Sequence, residues 1–262
     1  MKGFWLRLKQ FWDKRDLVHL LVEKDLKLKY RRSFLGYIWS VLNPLLVMIV
    51  MAVVFSHMFR FEITNYPVYL FTGQLMFNYM SISTSNAMFS ITSNGPLLKK
   101  TYVPKYIFTF AKITSGLVDM VFSLAALVIV MIFTGAQFSW YNLLVFIPIL
   151  ELYMFCIGLG MLVSALNVFF RDIQYIWNAF VTAWMYATPI FYPMEALPEK
   201  LQWVVKHFNP MYFYIGQFRD LVYSNMFPGW GIILEGLISS IIMCAIGTAV
   251  FWKHQDEFIL YI

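Results

Sequence analysis

Six apolar runs, at about 37–59, 68–90, 106–133, 141–166, 173–191 and 230–252, occupy most of the chain. An α-helix needs about 20 predominantly apolar residues to cross the hydrocarbon core of a bilayer. Charge agrees with that reading: 13% of the 262 residues are Asp, Glu, Lys or Arg, about half the usual share of a soluble domain. Too little polar surface remains to clothe a water-exposed globule. No run alternates apolar with polar residues as barrel strands do, and no internal repeat marks two inverted halves. The expected fold is an all-α membrane protein with six transmembrane helices. Cys156 and Cys244 both lie in apolar runs, which suits packing rather than a disulfide framework.

The first 32 residues are charged throughout and lack the apolar stretch and cleavage pattern of a signal peptide, so they are expected to stay on the protein. Phe4, Trp5, Leu8, Phe11 and Trp12 share one helical face, and Asp16 is placed to cap a second helical stretch with Leu17, Leu20, Leu21 and Leu28 in line. A basic amphipathic helix of this kind lies in the membrane interface. If both termini are inside, the inner segments hold sixteen Lys/Arg and the outer ones four: Arg60, Lys200, Lys206 and Arg219. That bias places both termini in the cytoplasm.

Between the fifth and sixth runs, Leu197, Leu201, Val204, Val205 and Phe208 recur at helical spacing. Tyr212, Ile215, Phe218, Leu221 and Val222 do the same, with Arg219 and Asp220 expected to turn away. Asn209-Pro210 separates the two stretches. Two short re-entrant helices in the outer leaflet, about 195–208 and 211–224, fit this pattern.

Several chemistries are excluded. The chain has no Gly-Lys pair, hence no P-loop. Its four histidines are scattered without metal-ligand spacing, and no nucleophile elbow occurs. Nothing points to a nucleic-acid partner. Asp119, Glu151 and Glu235 fall inside apolar runs, where an ionised carboxylate costs about 2.5–3.5 kcal/mol. Two readings remain open for them: lining of a polar conduit, or buried hydrogen-bonded packing. The many aromatics serve packing and interfacial belts. Tyr37, Trp39, Tyr186 and Tyr192, near run ends, are also candidates for stacking against sugar rings along a conduit.

The run from Asp25 through Gly36, Trp39, Asn43 and Pro44 resembles the N-terminal signature of ABC-2 type polysaccharide-export permeases. Asn167-Val-Phe-Phe-Arg171-Asp172 resembles that family's second cytoplasmic turn. Thr188-Pro189-Ile-Phe-Tyr-Pro193, followed by Leu197-Pro198 and Asn209-Pro210, resembles its outer region. The resemblance runs in order along essentially the whole chain.

It implies a homodimer in a bacterial cytoplasmic membrane, bound to two copies of a cytoplasmic ATPase. ATP and magnesium would sit on that partner, with no cofactor and no catalysis on this chain. The substrate would be a polyprenyl-linked O-antigen, teichoic acid or rhamnose-rich glycan passing between the two copies. Residues 1–36 would form the interface segment, 37–252 the transmembrane domain and 253–262 a cytoplasmic tail. Within the domain, 91–105 would couple to the ATPase and 192–227 would gate the outer exit. Lys29, Arg31 and Arg32 are the candidates for holding the carrier's phosphates, as arginine's planar fork suits phosphate oxygens. Tyr37, Trp39, Tyr186, Tyr192, Asp119 and Glu151 are the conduit candidates. Asn94, Gly95, Pro96, Lys99, Lys100, Arg171 and Asp172 are the coupling candidates, Gly95-Pro96 being read as a turn. The competing readings are an ABC-2 drug or lipid exporter, an ion-coupled secondary transporter and a membrane glycosyltransferase.

Overall fold

A computed structural model of the chain describes residues 14–30, 36–58, 63–101 and 103–262, and every regular element among them is helical. The apolar stripe Phe4, Trp5, Leu8, Phe11 and Trp12 lies outside the described residues, as do Arg31 and Arg32. Helix α1 (Arg15–Tyr30) has Asp16 in its first turn and Lys27 and Lys29 in its last, charges that complement the helix dipole. Asp16 thus sits inside the helix rather than capping it. Glu23 and Lys27 pair at i, i+4.

The helices that follow are α2 (Trp39–Met58), α3 (Tyr66–Met88), the short α4 (Gly95–Lys100), α5 (Tyr106–Phe133), α6 (Phe146–Phe169) and α7 (Ile173–Ala187). Two short helices, α8 (Glu199–Phe208) and α9 (Pro210–Val222), precede α10 (Trp230–His254) and the terminal turn α11 (Phe258–Tyr261). Among the described residues, four stretches are long and apolar enough to cross a membrane: Gly36–Phe55, Tyr106–Phe133, Trp140–Phe169 and Trp230–His254. These contain α2, α5, α6 and α10. The other two expected crossings fall short for different reasons. Helix α3 has 23 residues, but Thr72, Gln74, Ser83 and Thr84 dilute its hydrophobicity, and all four are buried against other helices. Helix α7 has 15 residues, about 22 Å at 1.5 Å per residue, against a core of about 30 Å.

Helix α3 is the centre of the bundle, packing on α2, α5, α6, α7 and α9. Helices α6 and α10 meet backbone to backbone: a Cβ on Gly247 would fall 1.8 Å from the Gly158 carbonyl oxygen, and one on Gly158 would fall 2.3 Å from that of Met243. Small residues permit such close approach where apolar lipid offers no hydrophobic drive to associate. Helix α1 lies lengthwise on the first half of α5. Val18 packs near Ile107 and Ala111, Asp25 pairs with Lys112 at 2.8 Å and Lys29 with Asp119 at 2.9 Å.

The bundle has two chemically distinct ends. At one, Ile91, Leu98, Phe108, Val168, Phe251 and Phe258 form a buried cluster joining α4, α5, α6, α10 and α11. At the other, tyrosine hydroxyls tie α3 to the segment after α7: Tyr66 donates to the Phe191 carbonyl at 2.8 Å and Tyr69 to that of Tyr192 at 3.0 Å.

Candidate substrate pathway and coupling surface

Toward the basic end, α2, α3 and α5 enclose a cavity of about 380 Å³. Its lining mixes aromatic and apolar side chains with Lys29, Ser40, Asn43, Gln74, Asn78, Asp119 and Ser123. Lys29 and Asp119 were placed in separate candidate groups by sequence; the fold joins them in one ion pair on this cavity's wall, with Trp39 beside them. The pair spans 90 positions in the chain and gives Asp119 a cation from α1. Asp119 Oδ2 takes the lysine, whereas buried Oδ1 has no donor. Tyr37 lies just outside, half exposed and stacked on Phe122 with ring centroids 6.4 Å apart.

Tyr186 and Tyr192 come together at the other end. The Tyr192 hydroxyl donates to the Tyr186 carbonyl at 2.7 Å, and Phe191 stacks on Phe55 at 4.9 Å. Beneath them Arg219 departs from expectation. It turns inward, donating to the carbonyls of Pro189 (2.6 Å), Ile190 (3.0 Å) and Tyr69 (3.3 Å), with its guanidinium 3.7 Å from the Tyr69 ring centre. Gly73 leaves it room, since a Cβ there would fall 2.7 Å from Nη2. The fork geometry of arginine lets one side chain clamp three carbonyls and stack on an aromatic face. Helix α8 behaves differently from α9: its Leu201, Val204 and Phe208 are exposed and only Val205 is buried, whereas Ile215, Phe218, Leu221 and Val222 of α9 are all buried.

Glu151 sits apart from the Asp119 cavity. It is buried among α6, α9 and α10 and accepts a 2.8 Å hydrogen bond from Gln217 Nε2. Ser240 donates to the Glu151 carbonyl at 2.7 Å and pairs with the Tyr214 hydroxyl at 2.8 Å. A Cβ on Gly236 would fall 2.3 Å from the Glu151 carboxylate, so that glycine makes the space for it. Gln217, Ser240, Tyr214 and Arg219 escaped sequence reasoning as functional side chains; a polar residue on the apolar face of α9 was the one available signal for Gln217. Glu235 is exposed on α10.

The coupling candidates gather at the basic end. Gly95-Pro96 opens helix α4 instead of forming a free turn, because proline suits the first helical turn, where no amide partner is needed. Asn94 donates to the Ser90 carbonyl at 2.8 Å, and Lys99 and Lys100 project from the last turn of α4. Arg171 and Asp172 are both exposed in the α6–α7 turn and do not pair with each other; among the described residues the ion pairs lie elsewhere. The chain's last residues bridge the two regions. Phe258 is fully buried, Tyr261 packs edge-on to Phe169 at 4.8 Å, and Ile262 lies 3.6 Å from where a Gly95 Cβ would sit. Lys105 donates to the Gln255 carbonyl, and burial pulls its pKa below the usual lysine range, with Asp256 opposing.

Polar and ionisable side chains within membrane helices turn to cavities, to one another or to protein partners rather than to lipid, and a family match places the chain among membrane transporters. The chain belongs to the ABC-2 type transporter family, whose profile matches residues 16–223. It is 30% identical over 245 residues to the O-antigen export system permease protein RfbA of Klebsiella pneumoniae, covering 93% of each chain. The protein of that name from Myxococcus xanthus is 27% identical over 96% of this chain and 97% of its own. The capsule polysaccharide export inner-membrane protein CtrC of Neisseria meningitidis is 26% identical over 86% of this chain and 87% of its own.

Proposed function

We propose that this chain is the membrane permease subunit of an ATP-driven exporter that carries lipid-linked cell-surface polysaccharide across the bacterial cytoplasmic membrane. One observation carries the reading: similarity over almost the full length to permeases named for O-antigen and capsule export. It favours a polysaccharide over the drug or lipid cargo that other ABC-2 exporters take.

In this reading α2, α3, α5, α6, α7 and α10 each cross the bilayer, α8 and α9 re-enter from outside, and both termini are cytoplasmic. The lysine and arginine excess at the basic end supports that orientation. Two copies form the conduit between them. The exposure of Tyr37 (50%), Trp39 (40%) and Tyr186 (60%) on one copy supports their facing a second. The outer gate, residues 192–227, contains the Arg219 clamp.

Two copies of an ATPase subunit, carrying ATP and magnesium, dock at the basic end. They act on residues 94–100 and on Arg171 and Asp172, and the buried cluster around Phe258 transmits movement between those turns. Lys29, Arg31 and Arg32 receive the phosphates of the lipid carrier. Glu151 acts as a fastener between helices, because both it and its Gln217 partner are buried.

Depletion of the protein in its host, followed by separate quantification of internal and surface glycan, tests the reading. Internal accumulation of a lipid-linked polymer with loss at the surface is expected. Unchanged pools would favour the drug or lipid exporter instead.

A further inference from the structure

The cavity between α2, α3 and α5 is lined by residues of a single chain, with Lys29 of α1 at its rim. Its volume of about 380 Å³ falls in the range of small-molecule sites, about 300–1,000 Å³. Three membrane helices turn polar side chains toward it: Asn43 from α2, Gln74 and Asn78 from α3, Asp119 and Ser123 from α5. Such groups are costly in hydrocarbon unless they meet water, protein or ligand partners. Asp119 presents the sharpest deficit. One carboxylate oxygen holds Lys29, while the other is buried without a donor, although buried polar atoms are nearly always paired. A carboxylate accepts only, so the missing partner is an O–H or N–H donor. Lys29 supplies the complementary need: its ammonium, half exposed at the rim, suits an anionic oxygen. Trp39, 40% exposed beside it, offers a flat apolar face with a polar edge.

We infer that this cavity is a sugar-phosphate pocket within each subunit, in which a sugar ring donates hydroxyl hydrogen bonds to Asp119 Oδ1 while its phosphate draws Lys29 from the ion pair. The inference rests on the export reading and deepens it. It gives the exporter a place to read the sugar nearest the carrier before the chain reaches the conduit between subunits. Release of Lys29 also loosens the C-terminal end of α1 from α5, while the Asp25–Lys112 pair keeps the preceding turn in place.

The test uses the complete permease–ATPase complex in nanodiscs, with Cys244→Ala and a reporter Asn78→Cys on the cavity wall. A water-soluble maleimide labels the reporter, and farnesyl diphosphate carrying one hexose is the probe. The pocket predicts protection by the probe and weaker protection by farnesyl diphosphate alone. Lys29→Gln, Asp119→Asn and Asn43→Ala should each weaken protection about tenfold, the loss of one charge-assisted or well-placed hydrogen bond. Asn43→Ala leaves the ion pair intact, so its effect separates ligand contact from loss of structure. Stimulation of the ATPase by the probe without protection overturns the pocket and leaves the export reading standing. Equal protection by the sugar-free diphosphate overturns the sugar assignment. Neither stimulation nor protection overturns both.

Discussion

Gln217→Leu and Glu151→Gln should move stability in opposite directions. Gln217 is fully buried and gives Glu151 its side-chain donor at 2.8 Å, yet its own Oε1 has no partner. Replacing it with leucine strands the carboxyl, a cost of about 1–3 kcal/mol. Removing the unpaired Oε1 offsets about 1 kcal/mol of that. The net loss is up to about 2 kcal/mol. Glu151→Gln keeps the length and an oxygen to accept from Gln217 Nε2 while removing an acid from an apolar site, a gain of about 0.5–1.5 kcal/mol. At about 2–4 °C per kcal/mol for a chain of this size, thermal unfolding in nanodiscs resolves the two shifts. Glu151→Gln should also retain export. Destabilisation by Glu151→Gln equal to that of Gln217→Leu, or loss of export without loss of stability, would show that the charge itself is used and refute the fastener role.

Arg219→Ala frees three carbonyls that the guanidinium clamps; at about 1.5 kcal/mol or more for each charged hydrogen bond, it should unfold the outer segment at markedly lower temperature. Arg219→Lys, lacking the planar fork, should rescue only part of this in the same melt. Gly247→Ala forces a Cβ onto the Gly158 carbonyl and should cost about 3 kcal/mol, the upper end of ordinary overpacking, read as lost monodisperse protein after extraction. Neutralising Arg31 and Arg32 together should reduce export while the complex with the ATPase still purifies intact; undiminished export would remove them from the phosphate site.

Periodicity and charge made the helices legible. The boundaries at Tyr106–Phe133 and Trp230–His254 follow the apolar runs closely, and the Asn209-Pro210 break between α8 and α9 is where proline chemistry puts it. What stayed hidden was mostly tertiary. Lys29 answers Asp119 from a helix outside the apolar runs, while Lys112, inside the same run as Asp119, is taken by Asp25; spacing along the chain reveals neither pairing. Arg219 was assigned outward because helical spacing ranks residues by polarity, and polarity alone does not show that three carbonyls wait on the inner side. Gly95-Pro96 has the composition of a turn, and the same two residues also open a helix; only the packing of Leu98 into the cluster with Phe258 decides between them. The contact between Gly158 and Gly247 joins positions far apart in the chain and leaves no local signal.

ATP-driven movement of a lipid-linked glycan through this subunit can be observed directly. It is tested most directly by reconstituting the chain with its ATPase in vesicles whose nucleotide sites face outward, supplying radiolabelled glycolipid in the outer leaflet. ATP-dependent transfer of the glycan to the lumen, where an added glycosidase no longer reaches it, is expected. Hydrolysis of ATP with the glycan still fully accessible outside would contradict it.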